Sequence, residues 1–165
     1  MPQLPQARQE EPGLMVKDVH NAIGNRLGKA DYRYTSSRQS LVGILAEAGQ
    51  PLSMPEILAA ARLPQSSAYR NLTVLENVGV VRRIVTHDNF YRYELAEDLT
   101  GHHHHLVCEN CGLVEDFTLS QDFEARLDTT LAKTAAQRGM EVVGHRLDVY
   151  GLCHDCQVKR ARTRA

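Results

Sequence analysis

Apolar residues recur at helical spacing in successive stretches of the N-terminal half. Val16, Val19, Ile23 and Leu27 make a first stripe that Gly28 stops. Thr35-Ser36-Ser37 offers a cap for a second helix through Leu41, Ile44, Leu45 and Ala48, ended by Gly49 and Pro51. Ser53-Met54-Pro55-Glu56 reads as a capping box that opens a short third helix through Ile57, Leu58 and Ala61. After Pro64, Ser66 is the expected cap of a fourth helix with Ala68, Leu72, Leu75 and Val78 inward, running to Gly79. Branched residues from Val80 to Thr86, a turn-like His87-Asp88-Asn89 and an extended stretch from Phe90 to Leu95 then predict a hairpin.

Short helices followed by a hairpin are the order of a winged helix-turn-helix, expected over residues 16–95. On its fourth helix Ser66, Ser67, Tyr69, Arg70 and Thr73 are not needed by the apolar stripe. They are the candidates for contacts with phosphates and base edges, with Arg38 at the start of helix two adding a phosphate contact. Ala96 to Gly101 is a polar connector, expected as a hinge. Beyond it the pattern changes: strands over His102–Val107 and Leu113–Phe117, a helix from about Asp122 to Arg138 ended by Gly139, and a strand over Glu141–Tyr150. The expected class is therefore α+β: a winged helix-turn-helix domain followed by a small α/β dimerisation domain over 102–156. Such a thin unit needs a partner or a metal. Residues 1–15 and the basic tail 157–165 are expected to be disordered.

Charge supports the division. The chain has 165 residues and a formal net charge of −1. Arg26 to Arg83 nevertheless holds eight basic against four acidic residues, and Ile84 to Cys156 five against thirteen. A basic half joined to an acidic half fits a nucleic-acid binder joined to a cation binder. No apolar run approaches the roughly 20 residues of a membrane span, and no secretory signal is visible, so a cytoplasmic location is expected, where thiols stay reduced.

The four cysteines then point to metal. Cys108-Glu109-Asn110-Cys111 and Cys153-His154-Asp155-Cys156 are two C-x-x-C knuckles, a set that suits a closed, structural zinc site. His102-His103-His104-His105 lies on a predicted strand, where side chains alternate, so His103 and His105 share one face and His102 and His104 the other. Glu124 and His145 are the best candidates to complete the second face. Glu94, Glu97 and Asp98, with His87 at the hairpin tip as a weaker choice, are the candidates for the first. A cation there would bridge the connector and set the angle between the domains. A zinc hydrolase would need an open coordination position, a base and a shaped substrate pocket, and no catalytic residue is assigned.

As a set, these residues resemble the ferric uptake regulator family of metal-dependent repressors. The resemblance runs from about Tyr34 to Cys156 and rests on Ser66-Ser67-Ala68-Tyr69-Arg70-Asn71-Leu72, on His102 to Gly112, and on His145 placed eight positions before Cys153. It implies a homodimer that binds palindromic double-stranded DNA when a regulatory metal is present. It also implies a hinge metal site on Glu94, His103 and His105, a second site on His102, His104, Glu124 and His145, and a four-cysteine zinc site. Two departures matter. Pro51 stands where many iron-type members have a histidine, and the connector lacks the cysteine of many zinc-type members, which leaves Asp98 or Glu97 to complete the hinge set. His104 occupies a position where iron-type members often carry aspartate, which tilts the resemblance toward zinc uptake regulators; iron(II), nickel and manganese are the other candidate regulatory metals.

Overall fold

The computed structural model describes residues 16–86 and 91–163. Helix α1 (Val16–Lys29) buries Ile23 and Leu27 completely, as its stripe predicts. Helix α2 (Ser36–Ala48) stops at Gly49, whose φ of 59° is a left-handed conformation that a side chain would resist. A short strand β1 (Leu52–Ser53) runs directly into α3 (Met54–Ala61). There the Ser53 N–H and hydroxyl both donate to Glu56 Oε2, at 2.7 and 2.5 Å, which fixes the first turn.

Helix α4 (Gln65–Asn77) begins just after Pro64, earlier than a Ser66 cap would place it. The Pro64 carbonyl accepts the N–H groups of Ser67 and Ala68 at 2.9 and 3.0 Å, so the proline itself serves as the cap. Strands β2 (Val81–Val85) and β3 (Tyr91–Leu95) pair antiparallel with Arg82 opposite Glu94, and β1 pairs on the other side of β3 in the order β1-β3-β2. The turn predicted at His87-Asp88-Asn89 lies outside the described residues, as does residues 1–15. Ile23, Leu27, Leu41, Ile57, Leu72, Leu75 and Val80 fill the core of this winged unit, each contributing about 1.5–3 kcal/mol through burial.

The connector is not the polar loop the sequence suggests. Glu97–Thr100 forms a helical turn, α5, with Leu99 buried in the winged core and Glu97 and Asp98 at its acidic start. Gly101, at φ 93°, then turns the chain into the second unit.

That unit contains β4 (His104–Cys108), β5 (Val114–Phe117), α6 (Gln121–Ala136), β6 (Asp148–Gly151) and α7 (His154–Thr163). The sheet order is β5-β4-β6, with β5 antiparallel and β6 parallel to the central β4, so α6 is the crossover. Three expectations are corrected. The strand expected over His102–Val107 runs from His104 to Cys108, so His102 and His103 precede it. The last strand covers only Asp148–Gly151 rather than Glu141–Tyr150, because only the later residues run beside β4. The basic tail is helical to Thr163, its first turn held by the second cysteine knuckle and favoured by Asp155.

Apolar burial in this unit is thin. Val107 and Val114 cluster with Ile84 of β2, so the small core is shared with the winged sheet. Helix α6 buries none of its side chains, and Phe123, Met140 and Val143 are exposed. No helix among the described residues is long and apolar enough to cross a membrane.

Candidate metal centres and recognition helix

Three groups of metal-ligating side chains gather among the described residues, and in each group one donor atom per residue lies within 4.8 Å of the others. The first is Cys108, Cys111, Cys153 and Cys156. Cys108 closes β4, and the parallel β6 delivers Cys153 beside it. The Cys153 N–H donates to Cys108 Sγ at 3.3 Å, and the Asn110 side-chain amide donates to Cys156 Sγ at 3.1 Å. Burial would raise the Cys108 thiol, but the backbone N–H groups of Cys153, Cys111 and Asn110 point at its sulfur and draw its pKa down to about 6. Donors aimed at a sulfur stabilise a thiolate, the form that binds metal.

The second group is His102, His104, Glu124 and His145. Helix α6 brings Glu124 across the sheet, where Oε1 lies 2.7 Å from His104 Nε2 and Oε2 lies 3.3 Å from His145 Nε2. Asp128, one turn further along α6, takes the His145 Nδ1–H at 3.0 Å, which turns Nε2 inward. Glu124 Oε2, His145 Nε2 and His104 Nδ1 are nevertheless buried without a hydrogen-bond partner. A carboxylate oxygen and an imidazole nitrogen buried face to face without a shared hydrogen bond fit a cation between them.

The third group is Glu94, His103, His105 and Asp116. Glu94 is the next-to-last residue of β3 in the winged sheet, while both histidines lie on the opposite side of the β4 segment from His102 and His104. Glu94 Oε2 receives His103 Nε2 at 3.2 Å and His105 Nε2 at 3.1 Å. Asp116 lies across β5, its Cα paired with that of His105, and its carboxylate is 3.8 Å from His105 and 4.0 Å from His103. The far ring nitrogens are occupied: His103 Nδ1–H donates to the Gly101 carbonyl at 2.9 Å and His105 Nδ1–H to Asp148 at 3.0 Å. Each imidazole thus presents Nε2 to the centre, the orientation a metal ligand needs. Burial opposes a charge on Glu94, but His103 and His105 outweigh it and hold the carboxyl at about 2. Glu94 in turn lifts His103 to about 9 against its burial.

Asp98, expected to complete this set, does not join it: its carboxylate pairs with Arg26 of α1 because the α5 turn directs it there. Glu97 is also elsewhere, 3.4 Å from Arg82 and 3.5 Å from His102, and His87 falls outside the described residues. Pro51 is buried and supplies no donor. The sequence reading missed Asp116, and also Asp128 and Asp148, which orient ligands from behind. A signal for Asp116 was present: counting outward two residues from the paired Val107 and Val114 brings His105 opposite Asp116.

On α4, Ser66, Tyr69, Arg70 and Thr73 are exposed, and Ser67 is half-buried. Arg38, half-buried on α2, donates to the Arg33 carbonyl and lies 5.5 Å over the Tyr32 ring.

Comparison with known proteins joins these pieces. The model of the Ferric uptake regulator family matches residues 29–150. The chain belongs to the ferric uptake regulator family. Among curated relatives of this family member, the peroxide-responsive repressor PerR of Staphylococcus saprophyticus is 30% identical over 132 residues, covering 77% of this chain and 84% of that protein. The Helicobacter pylori ferric uptake regulator, a structure with three functional metal-binding sites, superposes with a TM-score of 0.71 at 23% identity over 90% of this chain and 97% of that one. The Vibrio cholerae ferric uptake regulator gives 0.61 at 26% identity, over 79% and 98%. As a family member the chain is a metal-responsive regulator, with the mixed helix and sheet architecture of those structures.

Proposed function

We propose that this regulator is a zinc-responsive, homodimeric, DNA-binding repressor of transcription. The observation that carries the reading is the position of Glu94: it belongs to β3 of the winged sheet yet shares a centre with His103 and His105 of the second unit. A cation bound there fastens the two units at one angle. It need only bind that geometry better than others, each ~1.4 kcal/mol of difference being a tenfold change in affinity. Arg70 and Tyr69, exposed on α4, contact phosphates and base edges, with Ser66, Ser67 and Arg38 supporting them. A second copy of the chain covers the unburied side of α6 and the unpaired stretch after it, and sets two recognition helices about 34 Å apart on a palindromic site.

Two features favour zinc. Each cluster offers four donors, the number zinc prefers, and buried Pro51 supplies no further ligand where the family resemblance places a histidine. The cysteine cluster holds zinc structurally. The test is native mass spectrometry with metal competition and operator binding. One zinc should survive mild chelation, and further zinc should restore DNA binding with iron(II), nickel and manganese unable to replace it.

A second reading is a peroxide-responsive repressor using iron(II) or manganese. It is favoured by the two carboxylates of the Glu94 cluster, hard donors that suit those metals, and by the similarity to the Staphylococcus protein. Under that reading, peroxide treatment of the iron-loaded protein adds oxygen to His103 or His105, visible by peptide mass spectrometry.

A further inference from the structure

The two histidine clusters face opposite sides of β4, yet a chain of charged side chains passes between them through the connector. Glu94 turns one oxygen to its histidines and the other, Oε1, to Arg82, 3.2 Å away. Arg82 also reaches Glu97 of α5 at 3.4 Å. Glu97 in turn lies 3.5 Å from His102 Nδ1, and His102 Nε2 is 3.7 Å from Glu124. The middle of the chain is shielded from water: Glu94 is 7% exposed, Arg82 22% and Glu97 26%. Arg82 Nε, Arg82 Nη2, Glu94 Oε1 and Glu97 Oε1 are buried without a well-formed hydrogen bond. One guanidinium is therefore shared between two carboxylates and saturates neither.

We propose that Arg82 and Glu97 are positioning residues that couple the two histidine clusters, so that filling the Glu94 cluster weakens metal binding at the Glu124 cluster. The inference rests on both clusters being metal sites. A dication beside Glu94 neutralises that carboxylate and weakens its claim on Arg82. The guanidinium then pairs more fully with Glu97, which draws Glu97 off His102 Nδ1. His102 already stands in the set with His104, Glu124 and His145, its Nδ1 toward Glu97 and its Nε2 toward Glu124, so losing Glu97 leaves it less firmly oriented and a weaker ligand. Coupling of this kind is reciprocal, and direct measurement of the interaction between sites is what distinguishes it from mere adjacency.

The experiment uses the full-length protein with its cysteine site zinc-loaded, titrated with cobalt(II) against a competing chelator. His145→Ala and His103→Ala each leave one histidine cluster, and the coupling factor is the two-site binding constant of the unaltered chain divided by the product of the two single-site constants. It should be about one fifth or less. Glu97→Gln should bring it near one. In the His103→Ala background the same change should weaken the remaining site by about the same factor, since His102 loses its partner without any metal beside Glu94. Arg82→Met should likewise remove the coupling, yet leave that remaining site as tight as before or tighter, since Glu97 then has His102 alone. That retained affinity is a result that general structural damage cannot give. A coupling factor of one in the unaltered chain, or one that Glu97→Gln leaves unchanged, overturns the bridge while both sites stand. If neither single-site protein takes up cobalt, the bridge and the metal reading of the clusters fall together.

Discussion

Asp98 of α5 and Arg26 of α1 form an ion pair that fastens the connector to the winged unit, and Arg26 also donates to the Gly79 carbonyl at 2.6 Å. An acidic side chain only four residues from Glu94 is thereby taken out of the metal cluster, and Asp116 from across the sheet stands in that place. Asp98→Ala should leave metal affinity at the Glu94 cluster within about twofold, whereas Asp116→Ala should weaken it by ~10-fold or more. Chelator competition on the two variants checks this, and equal losses would return Asp98 to the site.

The second unit has few apolar contacts of its own, so the cysteine cluster must supply much of its stability. Cys153→Ser should abolish the chelator-resistant zinc and cost about 5 kcal/mol, a modest part of the apparent 10–16 kcal/mol of structural zinc sites. For a chain of this size that is a fall in Tm of ~10–20 °C. Differential scanning calorimetry reads the shift, and an unchanged Tm would show that the unit folds without the metal.

The pH dependence of metal binding follows from His103, whose pKa stands at about 9. At pH 7.5 the metal-free protein carries that proton and a metal must displace it, so affinity should rise with pH, by up to about tenfold per unit, and level off above about 9. Isothermal titration in buffers of different ionisation enthalpy should find at least one proton released per metal. In the metal-free fold the signs run differently. The raised His103 contributes its full stability below the ordinary 6.5 and loses it as pH rises through about 9. The depressed Glu94 contributes fully above 4.5 and loses it as pH falls through about 2.

Arg70 is exposed on α4 and remote in sequence from every cluster residue. Arg70→Ala should weaken operator binding by about 10–100-fold with metal content intact. Electrophoretic mobility shift together with metal analysis tests both halves, and loss of metal on this change would contradict the separation of reading from sensing.

What the sequence reveals here is what local spacing controls. The two C-x-x-C knuckles and the alternation of His102 to His105 need only the turn and the period of a strand, and the structure gathers the cysteines and divides the histidines accordingly. The helices of the winged unit are equally legible, because their stripes enter one core. Asp116 and Asp98 fail for the opposite reason: their roles depend on strand register and on a one-turn helix with Leu99 as its anchor. The shortened last strand follows the same logic, since an edge needs a neighbour that residues before Asp148 do not meet within this chain.

The alternation along β4 also constrains the length of the chain. Inserting one residue between His103 and His104 would shift His102 and His103 relative to β4, sending ligands of one site toward the other. Substitutions in the connector disturb a contact, but a change of frame exchanges the addresses of the ligands. The histidine run of this protein should therefore tolerate an inserted residue ahead of it, in the connector, far better than one within it.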